Sequence, residues 1–567
     1  MRRPLLASLS LLAAALLPGA AVVHACPGGQ AAPGARPERE PSSSAEARAF
    51  RIASLDDEDD DGPVIAGAAS PAAEEANRRF EAQRWEDAAL AARRVAAGMT
   101  GDDEGNRQIA RYHEAVSLFH LGFPEASLAI FSTIAERRAH PRFAQVLRFV
   151  AQIAEGREEQ DRFAALIGNY DEAAIASLDT PRDRALHDRA RYLQGIARAR
   201  LRDHEQVVSA LDKVSRESPL FLHARFRAGL AFIALRKTVP AVKAFLQMAE
   251  AAGDEEPRLR DLAWISMARA YYSGNHYLDE ACAPTIDATR LSAAMKYWNK
   301  ITPDSPLWPD ALLESSWGYF MAGDYPHALG NLQVFESGYL PAALSPEAEI
   351  LRGIIHFTVC HYDDAATVVA HLQRRHQPLR EALTVLIAEF AGDAQDDAVL
   401  DHYDDLRAGR ARLPTILRPF GEAVRKDRRA SRERLRQRAI DEEEARLGSS
   451  PERLRSSALG GEMREALRLA RRAAIHDLAA RVRTLYHDRL DEIDRRLLDG
   501  RKLIIDVVQA RGQEKLRARW PSVSHGRPEY GAIVPDVEHE IWPFDGEYWR
   551  DELGTYRHFV DSYCHNH

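Results

Sequence analysis

The sequence has few cysteines, no long internal apolar run and none of the common catalytic signatures. Its four cysteines, in a chain of 567 residues, include no CxxC pair, which leaves a zinc ribbon or a thioredoxin-like site without support. No internal run of 18 or more apolar residues predicts a membrane span. A nucleophile-elbow serine, a phosphate-binding glycine loop and an HExxH helix are also missing. These absences argue against an enzyme.

Charge and composition argue against two further classes of protein. The formal net charge is −9, with 45% hydrophobic and 28% charged residues. Mild acidity argues against general nucleic-acid binding, and this apolar content is not that of a disordered chain. The length suits one long solenoid or two to three compact domains.

Residues 1–25 have the parts of a secretory signal peptide. Arg2 and Arg3 precede the apolar run Leu5–Leu17, and small residues lead up to Cys26. The residues Val23-His24-Ala25-Cys26 also resemble a bacterial lipobox, which would make Cys26 a lipidated first residue. Ordinary cleavage before Cys26 and lipidation of Cys26 stay open as alternatives. Both predict an exported protein.

Residues 26–71 are predicted to be a disordered acidic tether. They are rich in Pro, Gly, Ser and Ala, and they include the acidic run Asp56–Asp61. That run lacks the ligand spacing and the central glycine of an EF-hand loop, so a solvated tether is the preferred interpretation.

The stretch Leu186–Glu250 contains one unit twice, 34 residues apart. Gly195 recurs as Gly229, and three positions on the second helix recur at the same offset: Val207 with Ala241, Leu211 with Phe245 and Val214 with Met248. A small residue on the first helix lets the second helix approach closely. The pattern resembles the tetratricopeptide (TPR) family, which implies an all-α, right-handed solenoid of helix pairs that binds protein partners.

The resemblance extends over residues 72–380 in seven units, with a degenerate helical pair at 140–185. The fifth unit carries an insertion, residues 273–290, which includes Cys282. In repeat proteins such insertions form loops on one face.

Residues 381–519 are predicted to form long charged helices. Heptad spacing relates Leu490, Leu497 and Ile504, and also Ala479, Tyr486, Ile493 and Val507; Gly500 interrupts the second series. Two arrangements fit this spacing: a helix packed on the end of the solenoid, which is preferred, and a dimerising hairpin or short coiled coil.

Residues 520–567 form an aromatic C-terminal tail. Helical spacing of Trp549, Leu553, Tyr556 and Val560 predicts a short amphipathic helix. We expect this tail to dock on its own helices as a cap, or to anchor a partner. The residues that would make the partner contacts are Trp542, Phe544, Tyr548, Trp549 and Arg550.

Three groups of residues could carry chemistry, and none is favoured. Glu314-Ser315 resembles the Glu-Ser pair of lytic transglycosylases, but it falls on the first helix of a regular repeat. The sequence Cys564–His567 offers metal-ligand types without the spacing of a closed site. His371 and His376 are predicted to lie at a solvated helix end. We therefore predict no catalytic residue, no metal and no cofactor, and the pairing of Cys282, Cys360 and Cys564 stays open.

Signal sequence, Cys26, tether and TPR units together resemble the TPR lipoproteins of the Gram-negative envelope. That resemblance implies a non-catalytic periplasmic scaffold, tethered to the outer membrane, that grips protein partners in an assembly or motility complex through its groove. The membrane would be reached only through the N-terminal lipid. The alternative is a cell-wall enzyme acting on peptidoglycan through Glu314.

Overall fold

The computed structural model describes residues 64–155, 157, 160–273, 276–278, 284–340, 345–518 and 548–564. These form two compact units. The first unit contains 64–244 and 436–472 together with part of the insertion, and the second contains 245–273, 286–435 and the described residues from 473 onward. The predicted signal peptide, Cys26 and the predicted tether up to residue 63 lie outside the described residues. The rest of the predicted tether, residues 64–71, is described: Val64 N donates to Ala139 O at 3.0 Å, and Pro71 begins the first helix.

The predicted all-α class with TPR-like helix pairs is confirmed. The helices up to residue 389 are α1 Pro71–Glu81, α2 Trp85–Ala96, α3 Glu104–His120, α4 Pro124–Ala135, α5 Phe143–Ile153, α6 Gln160–Ile167, α7 Glu172–Ala176, α8 Arg184–Arg200, α9 His204–Leu211, α10 Phe221–Ala234, α11 Thr238–Ala252, α12 Pro257–Ser273, α13 Ala288–Trp298, α14 Trp308–Ala322, α15 Tyr325–Val334, α16 Pro346–Thr358 and α17 Tyr362–Glu389.

Helices and short 3₁₀ turns make up most of the remaining described residues. They are the 3₁₀ turn Asp393–Gln395, α18 Asp396–Ala408, the 3₁₀ turn Thr415–Leu417, α19 Arg418–Lys426, α20 Arg428–Ser449, α21 Glu452–Arg455, α22 Ala458–Ala518 and the 3₁₀ turn Arg550–Glu552. The described helices include none that is long and apolar enough to span a membrane.

The seven predicted units correspond to seven helix pairs: α1–α2, α3–α4, α8–α9, α10–α11, α12–α13, α14–α15 and α16–α17. We call the first helix of each pair its A helix and the second its B helix. Gly195 shows why the small position recurs, because a Cβ atom there would lie 2.5 Å from Leu211 Cδ2 on the B helix. Any side chain at this position would push the two helices apart.

The turn between the A and B helices requires a residue with positive φ in most of the repeats. Six of the seven repeats place a residue with positive φ two positions before the B helix; these are Gln83, Gly122, Arg202, Arg236, Gly323 and Cys360. Glycine adopts this left-handed conformation without steric cost, whereas other residues adopt it at a cost of roughly 1 kcal/mol. The repeats therefore tolerate local strain in order to reverse the chain in a short turn.

The predicted degenerate pair and the insertion differ in detail from the expectation. Residues 140–185 form three short helices, α5 to α7, rather than a pair. The insertion between α12 and α13 contains two short strands, β1 His276–Leu278 and β2 Pro284–Ile286, which form a two-stranded sheet. Cys282 lies outside the described residues, so its pairing stays open.

The end of the repeats also differs from the prediction. Helix α17 continues through Pro378 to Glu389, so the boundary predicted at residue 380 falls inside a helix. The domains predicted as 72–380 and 381–519 do not coincide with the compact units either, because segments after 435 contribute to both units. Because later segments of the chain pack back on the repeats, the compact units differ from the domains predicted from periodicity alone.

Candidate interaction surfaces

In the second unit, helix α22 covers part of the A-helix face of the repeats. Arg496 Nη2 on α22 donates to Glu347 Oε2 on α16 at 2.6 Å, and Trp317 Nε1 on α14 donates to Glu347 Oε1 at 3.0 Å. Burial raises the pKa of Glu347, and Arg496 and Trp317 oppose that effect by favouring the charged carboxylate. The Glu347 carboxylate on the repeats is therefore already paired with Arg496 of the same chain.

The heptad positions of α22 pack within the second unit, Tyr486 with His402 on α18 and Gly500 with repeat seven. Ala479, Tyr486, Ile493 and Val507 are all buried. At Gly500 a Cβ atom would lie 3.1 Å from Leu372 Cδ2, within the same unit. The predicted interruption of the series is therefore a place where the two helices pack closely. The preferred alternative, packing on the solenoid's own helices, describes this part of α22.

Glu314, the candidate acid of the enzymatic alternative, is held by two neighbours. Arg269 on α12 donates to Glu314 Oε1 at 2.6 Å, and Trp298 Nε1 on α13 donates to Oε2 at 2.9 Å. Burial raises the pKa of Glu314, while Arg269 and Trp298 counteract that rise. Both carboxylate oxygens are occupied by links between adjacent helices, which is the arrangement of a structural ion pair.

His376 contradicts the prediction of a solvated helix end, whereas His371 is exposed but does not lie at a helix end. His376 is fully buried, and its Nε2 lies 3.0 Å from Glu349 Oε1 on α16. His371 Nδ1 lies 3.2 Å from the other oxygen of the same carboxylate. The prediction was wrong because α17 does not end near Pro378, so these residues sit in the middle of a helix that packs on α16.

In the first unit, residues 436–472 pack on repeats one and two. Glu443 Oε1 on α20 accepts the backbone N–H of Glu125 at 2.7 Å, at the start of B helix α4. The residue that precedes α4, Phe123, supplies no side-chain cap, so Glu443 serves that role from a distant part of the chain. Glu462 on α22 pairs with Arg93 and Arg111 of the same repeats.

One A helix of the first unit keeps an accessible face. His223 and Leu230 on α10 are exposed, and Phe226, Arg227 and Ile233 between and after them are half-buried. These positions follow i, i+3, i+4, i+7 and i+10 spacing, so they share one side of the helix. Arg227 Nε donates to Tyr192 OH on α8 at 3.1 Å. This α10 face is a mixed apolar and cationic surface.

The C-terminal tail is fastened to repeats six and seven. His558 N donates to Pro326 O at 3.0 Å, and Tyr563 N donates to Val359 O at 2.9 Å. A disulfide joins Cys360, in the turn of repeat seven, to Cys564. The expected docking as a cap therefore describes residues 553–564, and Cys564 is a disulfide sulfur rather than a metal-binding thiolate.

The predicted amphipathic helix in the tail is wrong. Residues 548–564 contain only the 3₁₀ turn Arg550–Glu552 and otherwise extended or irregular chain. Gly330 on α15 explains the extended path, because a Cβ there would lie 1.8 Å from Tyr556 O. The tail backbone runs directly over that glycine. Helical spacing of apolar residues could not reveal this, since the disulfide and the backbone contacts decide the conformation.

The tail leaves large aromatic side chains at the surface while its backbone is fixed. Trp549, Phe559 and Tyr563 are 49%, 51% and 54% exposed, whereas Leu553 is buried. We call these three residues the aromatic row. Phe559 and Tyr563 are functional candidates that the sequence analysis did not single out: Phe559 lies outside the helical spacing of the tail, and Tyr563 lies beyond the last residue named in that spacing.

The other residues predicted to contact a partner differ in how exposed they are and in whether the structure describes them. Tyr548 is half-buried, and burial raises the pKa of its phenol. Arg550 is exposed, and its guanidinium lies 3.8 Å from Asp304. Trp542 and Phe544 lie outside the described residues, so their part in a surface stays a prediction.

Comparison with known proteins gives no family assignment. No protein-family model matches the chain, and no curated protein matches it. Among solved structures, the crystal structure of the apo form of RapI is similar at 13% sequence identity and a TM-score of 0.30. That similarity covers 60% of this chain and 92% of RapI.

Proposed function

We propose that this chain is a non-catalytic, exported scaffold that binds a protein partner in the cell envelope. The observation that carries the proposal is the aromatic row, in which Trp549, Phe559 and Tyr563 are about half exposed on a backbone fastened to repeats six and seven. Tryptophan and tyrosine are enriched among the residues that dominate binding energy at interfaces. A fixed backbone also lowers the conformational entropy lost on binding.

A second contact region in the proposal is the α10 face. Leu230 is exposed there beside the half-buried Phe226 and Arg227, a composition that suits an amphipathic or extended segment with acidic residues. The A-helix face at Glu347 is a poorer candidate, because Arg496 of the same chain already pairs with it.

The absence of catalysis is part of the proposal. It is supported by Glu314, whose two carboxylate oxygens accept from Arg269 and Trp298 and so link three helices. A general acid must transfer a proton to its substrate, which a carboxylate committed to an arginine does poorly.

We further propose that the mature chain resides in the periplasm and is tethered to the outer membrane through a lipid on Cys26. The Cys360–Cys564 disulfide supports an oxidising compartment. The test is metabolic labelling of the producing cells with a fatty-acid analogue, which should label the native chain and not the Cys26→Ser variant. Label on neither chain would contradict lipidation and leave simple cleavage as the processing route.

The binding role is tested by site-specific photo-crosslinking in intact cells. A photoreactive residue at position 549 or 559 should give one discrete adduct with an envelope protein, identified by mass spectrometry. The matched control is the same residue at Val385, which is 61% exposed near the C-terminal end of α17, whereas the tail contacts residues at the start of that helix. Equal crosslinking from all three positions, or none from 549 and 559, would contradict an interface at the aromatic row.

A further inference from the structure

Two histidines and an aspartate converge at the turn of repeat seven. His356 lies in the last turn of α16, His361 directly precedes α17, and Asp364 lies in the first turn of α17. One ligand atom from each lies within 4.8 Å of the others. The left-handed residue Cys360, with φ of 64°, reverses the chain so that His361 N donates to His356 O at 2.8 Å.

The hydrogen bonds of His361 determine which ring nitrogen carries a proton. Nε2 lies 2.6 Å from the backbone carbonyl oxygen of Asp561, which can only accept, so Nε2 is the N–H donor. In the neutral ring Nδ1 then has a lone pair, and it faces Asp364 Oδ2 at 3.0 Å. Two acceptors at this distance repel unless a proton or a metal ion joins them.

His356 supplies a second ring nitrogen of the cluster's residues that lacks a hydrogen-bond partner. Its Nδ1 is buried and has no hydrogen-bond partner among the described residues. Buried polar atoms are nearly always satisfied, so an orphan nitrogen points to a ligand at that place.

We propose that His356, His361 and Asp364 bind one divalent transition-metal ion of the zinc class. Neutral imidazole nitrogens and a carboxylate oxygen are ligand types that zinc uses. A metal-binding histidine commonly donates its other N–H to a carbonyl oxygen, which is what His361 does toward Asp561. Asp364 is exposed, so solvent can reach the cluster and supply the fourth ligand.

Neighbouring residues orient the His361 ring, and a nearby cation is paired elsewhere. Tyr563 stacks on the His361 ring, with centroids 4.1 Å apart and an angle of 10° between the planes. The nearby cation Arg352 is paired with Glu336. Because Asp561 and Tyr563 belong to the tail, an ion held by His361 would also strengthen the docking of the tail on repeat seven.

The test is a titration of the oxidised, full-length protein with zinc ion alone at pH 7.5, followed by calorimetry. We expect one zinc ion to bind per chain. Asp364→Asn or His356→Gln should weaken zinc binding at least about 10-fold, because even the loss of a residue that only hydrogen-bonds a metal ligand lowers affinity by that much. Cobalt ion in place of zinc should give the visible absorption of a four-coordinate site. The matched control is Asp363→Asn, the exposed neighbour of Asp364, which should bind zinc like the native chain.

A second control separates this cluster from the histidines at the chain end. The variant His565→Gln/His567→Gln should retain the bound equivalent. Loss of binding in that variant, with Asp364→Asn unaffected, would mean an adventitious ion only and would overturn the proposal. No zinc binding to the native protein at about 100-fold excess of metal over protein would overturn it as well, and would indicate that a proton on His361 Nδ1 makes the contact to Asp364.

Discussion

Gly500 on α22 lies against Leu372 on α17, where an added Cβ would approach the leucine Cδ2 to 3.1 Å. Such a distance leaves no room for a larger side chain. A residue that interrupts a heptad series in the sequence is thus a point of close packing between the long helix and repeat seven.

We predict that Gly500→Leu lowers the free energy of unfolding of the second unit by about 1–3 kcal/mol, because the larger side chain must displace Leu372 or the helix. Urea denaturation followed by circular dichroism measures this. The control is Gly512→Leu on the same helix, where an added Cβ has nothing within 4 Å. That variant should be neutral or slightly more stable, since leucine has the higher helix propensity. Equal destabilisation by both would contradict close packing at Gly500.

Loss of the Cys360–Cys564 disulfide should release the tail. The bond closes a loop with a sequence separation of 204 residues, for which the chain-entropy relation gives about 5 kcal/mol as an upper figure. We expect Cys564→Ser to be cleaved by protease within the tail much faster than the native chain, with repeats one to seven still resistant. The native chain treated with reductant should behave like the variant. Unchanged cleavage would show that the hydrogen bonds of His558 and Tyr563 suffice to hold the tail.

Glu443 should make the stability of the first unit depend on pH. Burial raises its pKa from an ordinary value of 4.5 to about 7. Between these pH values the folded chain binds more protons than the unfolded chain, so this group's contribution to stability is greatest at low pH and is lost as pH rises toward 7. Replacement by glutamine keeps an oxygen for the N–H of Glu125 and removes the charge.

We therefore expect Glu443→Gln to match the native chain near pH 4.5 and to exceed its stability above pH 7, by about 3 kcal/mol at most. Thermal unfolding at a series of pH values measures the difference. Glu444→Gln, at the exposed neighbouring position, is the control and should leave the native profile unchanged. A constant difference between Glu443→Gln and the native chain at all pH values would refute the raised pKa.

Glu314→Gln should affect stability and not catalysis. It leaves Arg269 without its carboxylate, and breaking a half-buried pair in this way costs about 1–3 kcal/mol. Replacing both residues by leucine should recover part of that loss, since no charge is then left unpaired. Denaturation of the two variants checks these values. Release of soluble fragments from purified peptidoglycan by the native chain, abolished by Glu314→Gln, would instead favour the cell-wall enzyme.

The sequence alone determined the repeat architecture. A 34-residue period with Gly195 and Gly229 at one position predicts helix pairs, because only a small residue lets the A and B helices approach so closely. The insertion after α12 was also predictable, since it interrupts that period. Local periodicity carries this information because each pair repeats the same contacts.

The tertiary structure decided where the returning segments pack and which side chains stay exposed. Arg496 meets Glu347 across 149 residues of sequence, and Cys360 meets Cys564 across 204. No local period encodes such pairs. The extended tail and its aromatic row follow from these contacts, as does the convergence of His361 with Asp561. Their physical cause is packing and hydrogen bonding between distant segments, which outweighed the helical spacing of Trp549, Leu553 and Tyr556.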